Sequence, residues 1–273
     1  MLKPVSSAPR QVWRESGFSE SHRQIPEEAA IALTYNGGTY AVMMASPQDL
    51  EDFAVGFSLT EGVVRSLADI ESIEIVEQDR GIEARMWLDH TNALRLSERR
   101  RHIAGPTGCG LCGIDSIVEA VRPAAMVGEG RQFAPRQIME AMQSVTSLQK
   151  LNIETRAVHA ASFWTPEQGP VAVREDVGRH NALDKLAGAL ARAAVVAEQG
   201  LVLLTSRVSV EMVQKTAVIG ASVMVSVSAP TALAVRMADA AGITLVAVAR
   251  ADGFEIFTHP NRILSAGAVH VVA

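Results

Sequence analysis

The stretch Leu201-Val202-Leu203-Leu204-Thr205-Ser206-Arg207-Val208-Ser209 decides the fold of this 273-residue chain. Its first five residues form an unbroken run of the kind that fills a strand buried on both faces. Ser209 then opens a helix over residues 209–219, and the alternation repeats with a strand over 222–227, a helix over 231–241 closed by Gly242, and a strand over 243–249. Short strands separated by single helices need right-handed crossovers, so the expectation is α/β, a mostly parallel layered sheet covered on both faces. In such sheets, ligands bind beyond the carboxyl ends of the strands, where helix N-termini present free N–H groups. Three turns fall there: Thr205 to Ser209, Ser228-Ala229-Pro230-Thr231, and Ala249-Arg250-Ala251-Asp252-Gly253-Phe254. Two arginines (Arg207 and Arg250), several hydroxyls including Ser206, and two helix starts make a candidate phosphate site. Ser209 and Thr231 acting only as helix caps, with Arg207 on the surface, explains the same residues equally well. Neither G-x-x-x-x-G-K-[ST] nor G-x-G-x-x-G occurs, so this is no P-loop and no dinucleotide fingerprint.

Upstream, strands are expected over 157–163 and 169–174, and an Ala/Leu-rich helix over 181–197 closed by Gly200. Between them lies the densest polar stretch of the chain, Arg174-Glu175-Asp176-Val177-Gly178-Arg179-His180-Asn181-Ala182-Leu183-Asp184-Lys185. It reads either as a structural ion-pair network or as a ligand-positioning loop with Arg179 and His180 as donors. His159, in Val158-His159-Ala160-Ala161, stands where a zinc nucleobase deaminase has H-x-E, but Ala161 replaces the Glu that moves the proton. A lone histidine on a strand is more often a core residue than a ligand. Pro135 begins a helix expected to run to about 151.

The first hundred residues have another character. Residues 1–25 are polar with scattered Pro and Ser, and read as a flexible tail. Two strand-like runs, 30–35 and 39–44, flank Asn36-Gly37-Gly38 and predict a hairpin. Ser46-Pro47-Gln48-Asp49 reads as the N-cap and first turn of a helix whose apolar positions Leu50, Phe53, Ala54, Phe57 and Leu59 end at Gly62. Strands over 70–76 and 82–88 complete a small α+β domain, residues 26–104, ahead of an α/β domain over 114–273.

Between the two lies Gly105-Pro106-Thr107-Gly108-Cys109-Gly110-Leu111-Cys112-Gly113, which holds both cysteines of the chain. Glycine at this density predicts a mobile loop, and Ser116 with Glu119 has the spacing of a capping box. The Arg99-Arg100-Arg101 run before it is a solvated face or a device that favours thiolate. Structural zinc needs four ligands, and no second C-x-x-C or H-x₃₋₅-H pair is present. A thioredoxin-like site would set its first Cys in the opening turn of a helix. Thiol relay remains, with metal held by distant histidines as the alternative. Composition (48% apolar, 20% charged, net charge −5) is globular and gives no electrostatic case for nucleic acid. No apolar run approaches the length of a membrane span, and the expected location is cytoplasmic.

Taken together, Tyr35-Asn36-Gly37, Thr60-Glu61-Gly62, Thr107 to Gly113, Val158 to Ala161, Glu175 to Lys185, Ser206 to Lys215 and Ala229-Pro230-Thr231 resemble the formate dehydrogenase accessory sulfurtransferase (FdhD/NarQ) family, over about 27–262. The resemblance implies a cytidine-deaminase-like fold in the second half without deaminase activity. It implies a sulfur carrier that takes sulfur from a cysteine desulfurase as a persulfide on Cys109, with Cys112 as its partner. The acceptor would be the Mo-bis(molybdopterin guanine dinucleotide) cofactor destined for the formate dehydrogenase catalytic subunit, with a guanine nucleotide as possible mimic, and the protein a homodimer. The family's cofactor-contacting segment falls on Val248, Ala249, Arg250, Ala251, Asp252 and Gly253. Here the chain departs, with Ala247-Val248 where the family has Gly-Phe ahead of the arginine, so an aromatic stacking face is lost while Arg250 is kept. The other readings are a cofactor-binding chaperone without sulfur transfer and a zinc-type nucleotide deaminase relative.

Overall fold

A computed structural model describes residues 2–89, 91–92 and 121–264. Cys109, Cys112, Arg99 to Arg101, Ser116 and Glu119 lie outside the described residues, as does the whole 105–113 stretch.

The segment expected as a loose tail is instead an antiparallel ribbon. Strands β1 (Val5–Arg14) and β2 (Gly17–Pro26) pair over ten positions around a turn at Gly17, whose φ is 108°. Polar composition removes the incentive to bury a strand, but it does not prevent a solvent-exposed ladder from closing. The ribbon is tied at its base by the Ser6 hydroxyl donating to Glu27 Oε2 (2.5 Å) and by Arg23 donating to the Thr155 carbonyl.

Strands β3 (Ala29–Tyr35) and β4 (Gly38–Ala45) form the expected hairpin, with both Asn36 and Gly37 at positive φ as a tight turn of this hand requires. With β5 (Ile70–Gln78) and β6 (Gly81–Leu88) they build a four-stranded sheet, order β4-β3-β6-β5. One face of it packs on helix α1 (Leu50–Thr60) through Ile31, Leu33, Ala84 and Met86 against Phe53 and Phe57. Ser46 does not cap α1. Asp49 occupies the position before the helix, in left-handed conformation and without a side-chain cap. Ser46 is fully buried and engaged by the second unit, as described below.

The second unit contains a six-stranded sheet, order β12-β11-β10-β9-β7-β8. Its strands are β7 (His159–Thr165), β8 (Gly169–Asp176), β9 (Leu201–Leu204), β10 (Val223–Ser226), β11 (Thr244–Arg250) and β12 (Gly253–Ile256). Only β9-β10 and β10-β11 pair parallel; β7-β8, β7-β9 and β11-β12 are antiparallel. The expected mostly parallel sheet is therefore mixed, because β7-β8 and β11-β12 join through short hairpin turns that need no crossover. The Leu201–Leu204 run is buried on both sides as its composition demands. Val202 and Leu204 pack with Leu183, Leu186 and Val213 on one face, while Leu201 and Leu203 pack with Phe133, Ile138 and Trp164 on the other.

The helices are α2 (Pro135–Thr146), α3 (Lys150–Thr155), α4 (Arg179–Arg192), α5 (Val210–Ile219) and α6 (Ala232–Ala240). The single helix expected over 135–151 breaks in two. The Glu175 carboxylate accepts the N–H groups of Leu151 and Asn152 at 2.8 Å and so gives α3 its own N-terminus. Helix α4 starts two residues earlier than expected and ends at Arg192. Among the described residues no helix is long and apolar enough to cross a membrane.

The two units meet where α1 crosses α4 with almost no space between the backbones. A Cβ on Gly56 would lie 1.7 Å from the Asp184 carbonyl oxygen, and one on Gly188 1.9 Å from that of Asp52. Around this crossing, charged groups are used as fasteners. Asp52 of α1 sits between Arg174 of β8 and Arg192 of α4, each at 2.6 Å. Lys185 pairs with Asp176 at 2.6 Å and donates to the Ser46 carbonyl at 2.9 Å. The Ser46 N–H in turn donates to Asp176 (3.0 Å), and its hydroxyl accepts from the Val177 N–H (3.1 Å).

Candidate functional site

Parallel β9, β10 and β11 end at one edge of the six-stranded sheet. Strand β7 runs the opposite way, with Ala161 across from Leu204, so it begins at that edge with His159. Strand β8 ends there, Asp176 facing His159 in the ladder. Helices α4, α5 and α6 follow β8, β9 and β10 and therefore start at the same edge. Three helix N-termini carry three sets of unsatisfied N–H groups and the positive ends of three dipoles, a field that favours an anion.

The loops at this edge are stitched to one another. Ser226 donates to the Ser206 carbonyl (2.7 Å) and accepts from the Ser228 N–H (3.0 Å). The Thr231 N–H reaches the Val208 carbonyl (3.0 Å), and that of Val248 the Ser228 carbonyl (3.3 Å). Thr231 is a helix cap, accepting from the Ala234 N–H at 3.2 Å. Ser209 is not; its hydroxyl donates to Glu211 Oε2 at 2.6 Å. Ser206 is buried, with its hydroxyl on the Arg207 carbonyl (3.1 Å), whereas Arg207 is exposed. Val248 takes a left-handed φ of 52° at an irregularity between β11 and β12, Ala249 is buried, and Ala251 and Asp252 are exposed before Gly253 opens β12. Arg250 folds back to donate to the carbonyls of Val227 and Ala249. Its guanidinium thus stays at the strand ends, but part of its donor capacity is already used.

The polar stretch Arg174 to Lys185 is mostly the ion-pair network that its sequence allows. Arg174, Asp176, Asn181, Asp184 and Lys185 form the network between the two units, while the Glu175 side chain holds the start of α3. Asp184 accepts from the Thr60 hydroxyl (2.6 Å) and from Lys215 (2.8 Å), which also pairs with Glu61 at 2.8 Å. Burial alone would lower Lys215, but Asp184 and Glu61 outweigh it and hold its pKa above the ordinary lysine value. Arg179 and His180 stand apart from this network. They form the first turn of α4, at the strand-end edge, and the buried atoms Arg179 Nε and His180 Nε2 have no hydrogen-bond partner among the described residues. His180 Nε2 lies 3.8 Å from Glu211 Oε2, an ion-pair distance rather than a hydrogen bond. His180 and the Ser209 hydroxyl together hold the Glu211 carboxyl down at about 2. His159 is half-buried, and burial with the neighbouring Arg179 and His180 lowers its pKa below the usual histidine value.

The structure therefore brings Arg179, His180, Ser206, Arg207 and Val248 to Gly253 to one edge and adds two residues that the sequence reading left aside, His159 and Glu211. No local pattern links Glu211 to His180; only the meeting of two helix starts does. Ala161 is buried in β7, so the general acid/base of a deaminase is missing where the ladder would place it. Among the described residues no group of three His, Cys, Asp or Glu side chains is placed to hold a metal ion.

A mixed sheet with one strand-end edge where three helices begin defines an α/β protein whose helix dipoles favour an anion at that edge. Comparison with known proteins narrows the class: the FdhD/NarQ family profile matches residues 26–264, and the chain belongs to this family. It is 52% identical over 256 residues to the sulfur carrier protein FdhD of Agrobacterium fabrum, covering 93% of this chain and 94% of the relative. The protein of the same name from Brucella abortus is 55% identical over 252 residues, 92% and 94% of the two chains. A crystal structure from Desulfotalea psychrophila, of a protein described as a formate dehydrogenase accessory protein, superposes with a TM-score of 0.77 at 24% identity. It covers 96% of this chain and 100% of that one, and bears on the fold.

Proposed function

We propose that this protein is a sulfur carrier that serves formate dehydrogenase, and that it works as a sulfurtransferase through a persulfide on Cys109. The observation that carries this reading is identity above 50% across more than nine-tenths of the chain to relatives named sulfur carrier proteins. In the first step the Cys109 thiolate attacks the outer sulfur of a persulfide on a cysteine desulfurase. One S–S bond forms as another breaks, and the donor cysteine leaves as thiolate. In the second step the Cys112 thiolate attacks the inner sulfur of that persulfide. A Cys109–Cys112 disulfide forms, the outer sulfur leaves as hydrosulfide with the electron pair, and a dithiol reductant later restores both thiols.

The acceptor in this reading is the Mo-bis(molybdopterin guanine dinucleotide) cofactor of the formate dehydrogenase catalytic subunit, bound as substrate with its diphosphates at the strand-end edge. Three helix starts and the orphaned Arg179 Nε and His180 Nε2 fit an anionic group there. Arg207, Ser206 and the segment Val248, Ala249, Arg250, Ala251, Asp252 and Gly253 would border it. The same reading takes the second unit as cytidine-deaminase-like in its layering, and the protein as a cytoplasmic homodimer.

The test is mass spectrometry of Cys109→Ala after incubation with desulfurase and cysteine. Native protein gains the mass of one sulfur atom and the variant gains none. A variant that still gains sulfur and still supports formate dehydrogenase activity in cells overturns the assignment. A Cys109→Ala/Cys112→Ala double variant that supports full activity would favour a chaperone that only holds the cofactor.

A further inference from the structure

Arg179 has an unusual position for a cation. Two carboxylates at the same strand-end edge, Asp176 and Glu211, are committed elsewhere. Asp176 is closed on Lys185 and accepts from the N–H groups of Ser46 and Gly178 and from Asn181. Glu211 accepts from Ser209 and faces His180. Arg179 itself makes no ion pair among the described residues, and its Nε is both buried and without an acceptor. A buried donor with no acceptor costs on the order of 1–3 kcal/mol. A guanidinium left so at three converging helix starts points to an acceptor beyond the described residues, and an anionic ligand fits it.

His159 completes the arrangement. It begins β7 directly across from Asp176, the residue three positions before Arg179. Its neighbours Ala160 and Thr205 are fixed by reciprocal bonds: the Ala160 N–H donates to the Thr205 hydroxyl (2.8 Å) and the Thr205 N–H to the Ala160 carbonyl (3.1 Å). The ring itself makes no hydrogen bond to a described residue. Among the described residues, the charged and titratable groups facing it are Arg179 and His180 from α4 and Asp176 from β8, with Glu211 of α5 behind His180.

We infer that His159 is a ligand-sensing residue of this edge, which takes up one proton from solvent when a diphosphate-bearing ligand binds beside Arg179. The inference rests on the proposal that the edge holds the acceptor. Without ligand, burial and the neighbouring Arg179 and His180 lower the ring's pKa against the opposing pull of Asp176. A bound dianion offsets the charge of Arg179 and offers an oxygen to the ring N–H, so the protonated ring becomes the favoured form. The sign follows: the free ring titrates below its ordinary value and the bound ring above the free one. Binding therefore strengthens as pH falls through the window between them, by up to about tenfold per pH unit for one proton.

The experiment uses the full chain and guanosine diphosphate as probe. Calorimetric titrations near neutral pH, in two buffers of different ionisation enthalpy, give the protons taken up per ligand bound. Native protein is expected to take up more protons than the nucleotide's own phosphate accounts for, and His159→Gln only the phosphate's share, with weaker affinity. A histidine NMR titration of native protein with and without the nucleotide keeps the inference testable if the variant folds poorly; the His159 ring value should rise on binding. Equal proton uptake by native and variant protein, or an unmoved ring value, overturns the role of His159 and leaves the acceptor site standing. No binding of the nucleotide to either protein overturns both.

Discussion

Lys185 Nζ and Asp176 Oδ2 stand 2.6 Å apart with neither side chain exposed at all, one on α4 and the other at the end of β8. Both also hold Ser46, at the junction of β4 and α1, so this enclosed ion pair is one of the fasteners between the small unit and the large one. Enclosing two charges costs several kcal/mol each, and only good geometry with every lone pair and proton used repays it. Removing one partner leaves the other buried and uncompensated. Lys185→Met should therefore lower unfolding stability by about 3–5 kcal/mol, measured by urea denaturation. Lys185→Met/Asp176→Asn should recover part of that loss, because no unpaired charge then remains.

The crossing of α1 and α4 is set by sterics rather than charge. A Cβ at Gly56 or Gly188 would enter the other helix's backbone, at 1.7 and 1.9 Å, and a backbone oxygen cannot rotate out of the way. Alanine favours a helix interior over glycine by about 1 kcal/mol, but overpacking of this kind costs about 1–3 kcal/mol or more. Gly56→Ala and Gly188→Ala should each destabilise the protein by about 2 kcal/mol net, read as a lowered denaturant midpoint. A stabilised variant at either position would mean that the helices lie farther apart.

Much of this was legible in the chain, and the residues show why. Leu201 to Leu204 announces a strand buried on both faces, and Asn36-Gly37 announces its turn, because each depends on local pattern alone. The strand-to-helix turns also fell where the sequence placed them. Sheet direction was less legible, since a crossover and a hairpin return differ only in what connects the strands. The ribbon of residues 5–26 was missed because an exposed ladder needs no apolar stripe. Ser46 looked like a helix cap because its partner Asp176 lies 130 positions away, and nothing local pairs Glu211 with His180, 31 positions before it. Such pairings are properties of the folded molecule, and no window along the chain contains them.

Glu211 gives a pH signature. Its carboxyl is held at about 2 against an ordinary 4.5, chiefly by His180 and then by the Ser209 hydroxyl. A carboxyl depressed on folding contributes stability that is complete above its unfolded value and disappears as pH falls through the folded one. The contribution should therefore be present above pH 4.5 and fade toward pH 2. In Glu211→Gln, unfolding free energies measured across that window should fall less steeply than in native protein. Parallel curves would place the carboxyl outside this contact.

Arg179 separates structure from binding more cleanly than any other residue of the edge. Arg174, five positions earlier, is a fastener on Asp52 at 2.6 Å, so Arg174→Ala should cost stability whether or not a ligand is present. Arg179 has no such partner among the described residues, and its truncation relieves a buried, unsatisfied donor. Arg179→Ala should then not lower the urea midpoint, and relief of the donor should raise unfolding stability by up to about 1–3 kcal/mol. Its effect should appear in ligand affinity instead, because a charge-assisted bond to a phosphate oxygen contributes about 1.5–3 kcal/mol. The expected result is guanosine diphosphate affinity reduced by roughly 10- to 100-fold without loss of stability, with Arg179→Lys between the two in affinity because an ammonium supplies charge but not the forked donor pair. A variant that unfolds readily and binds normally would make Arg179 one more fastener between the units and remove it from the site.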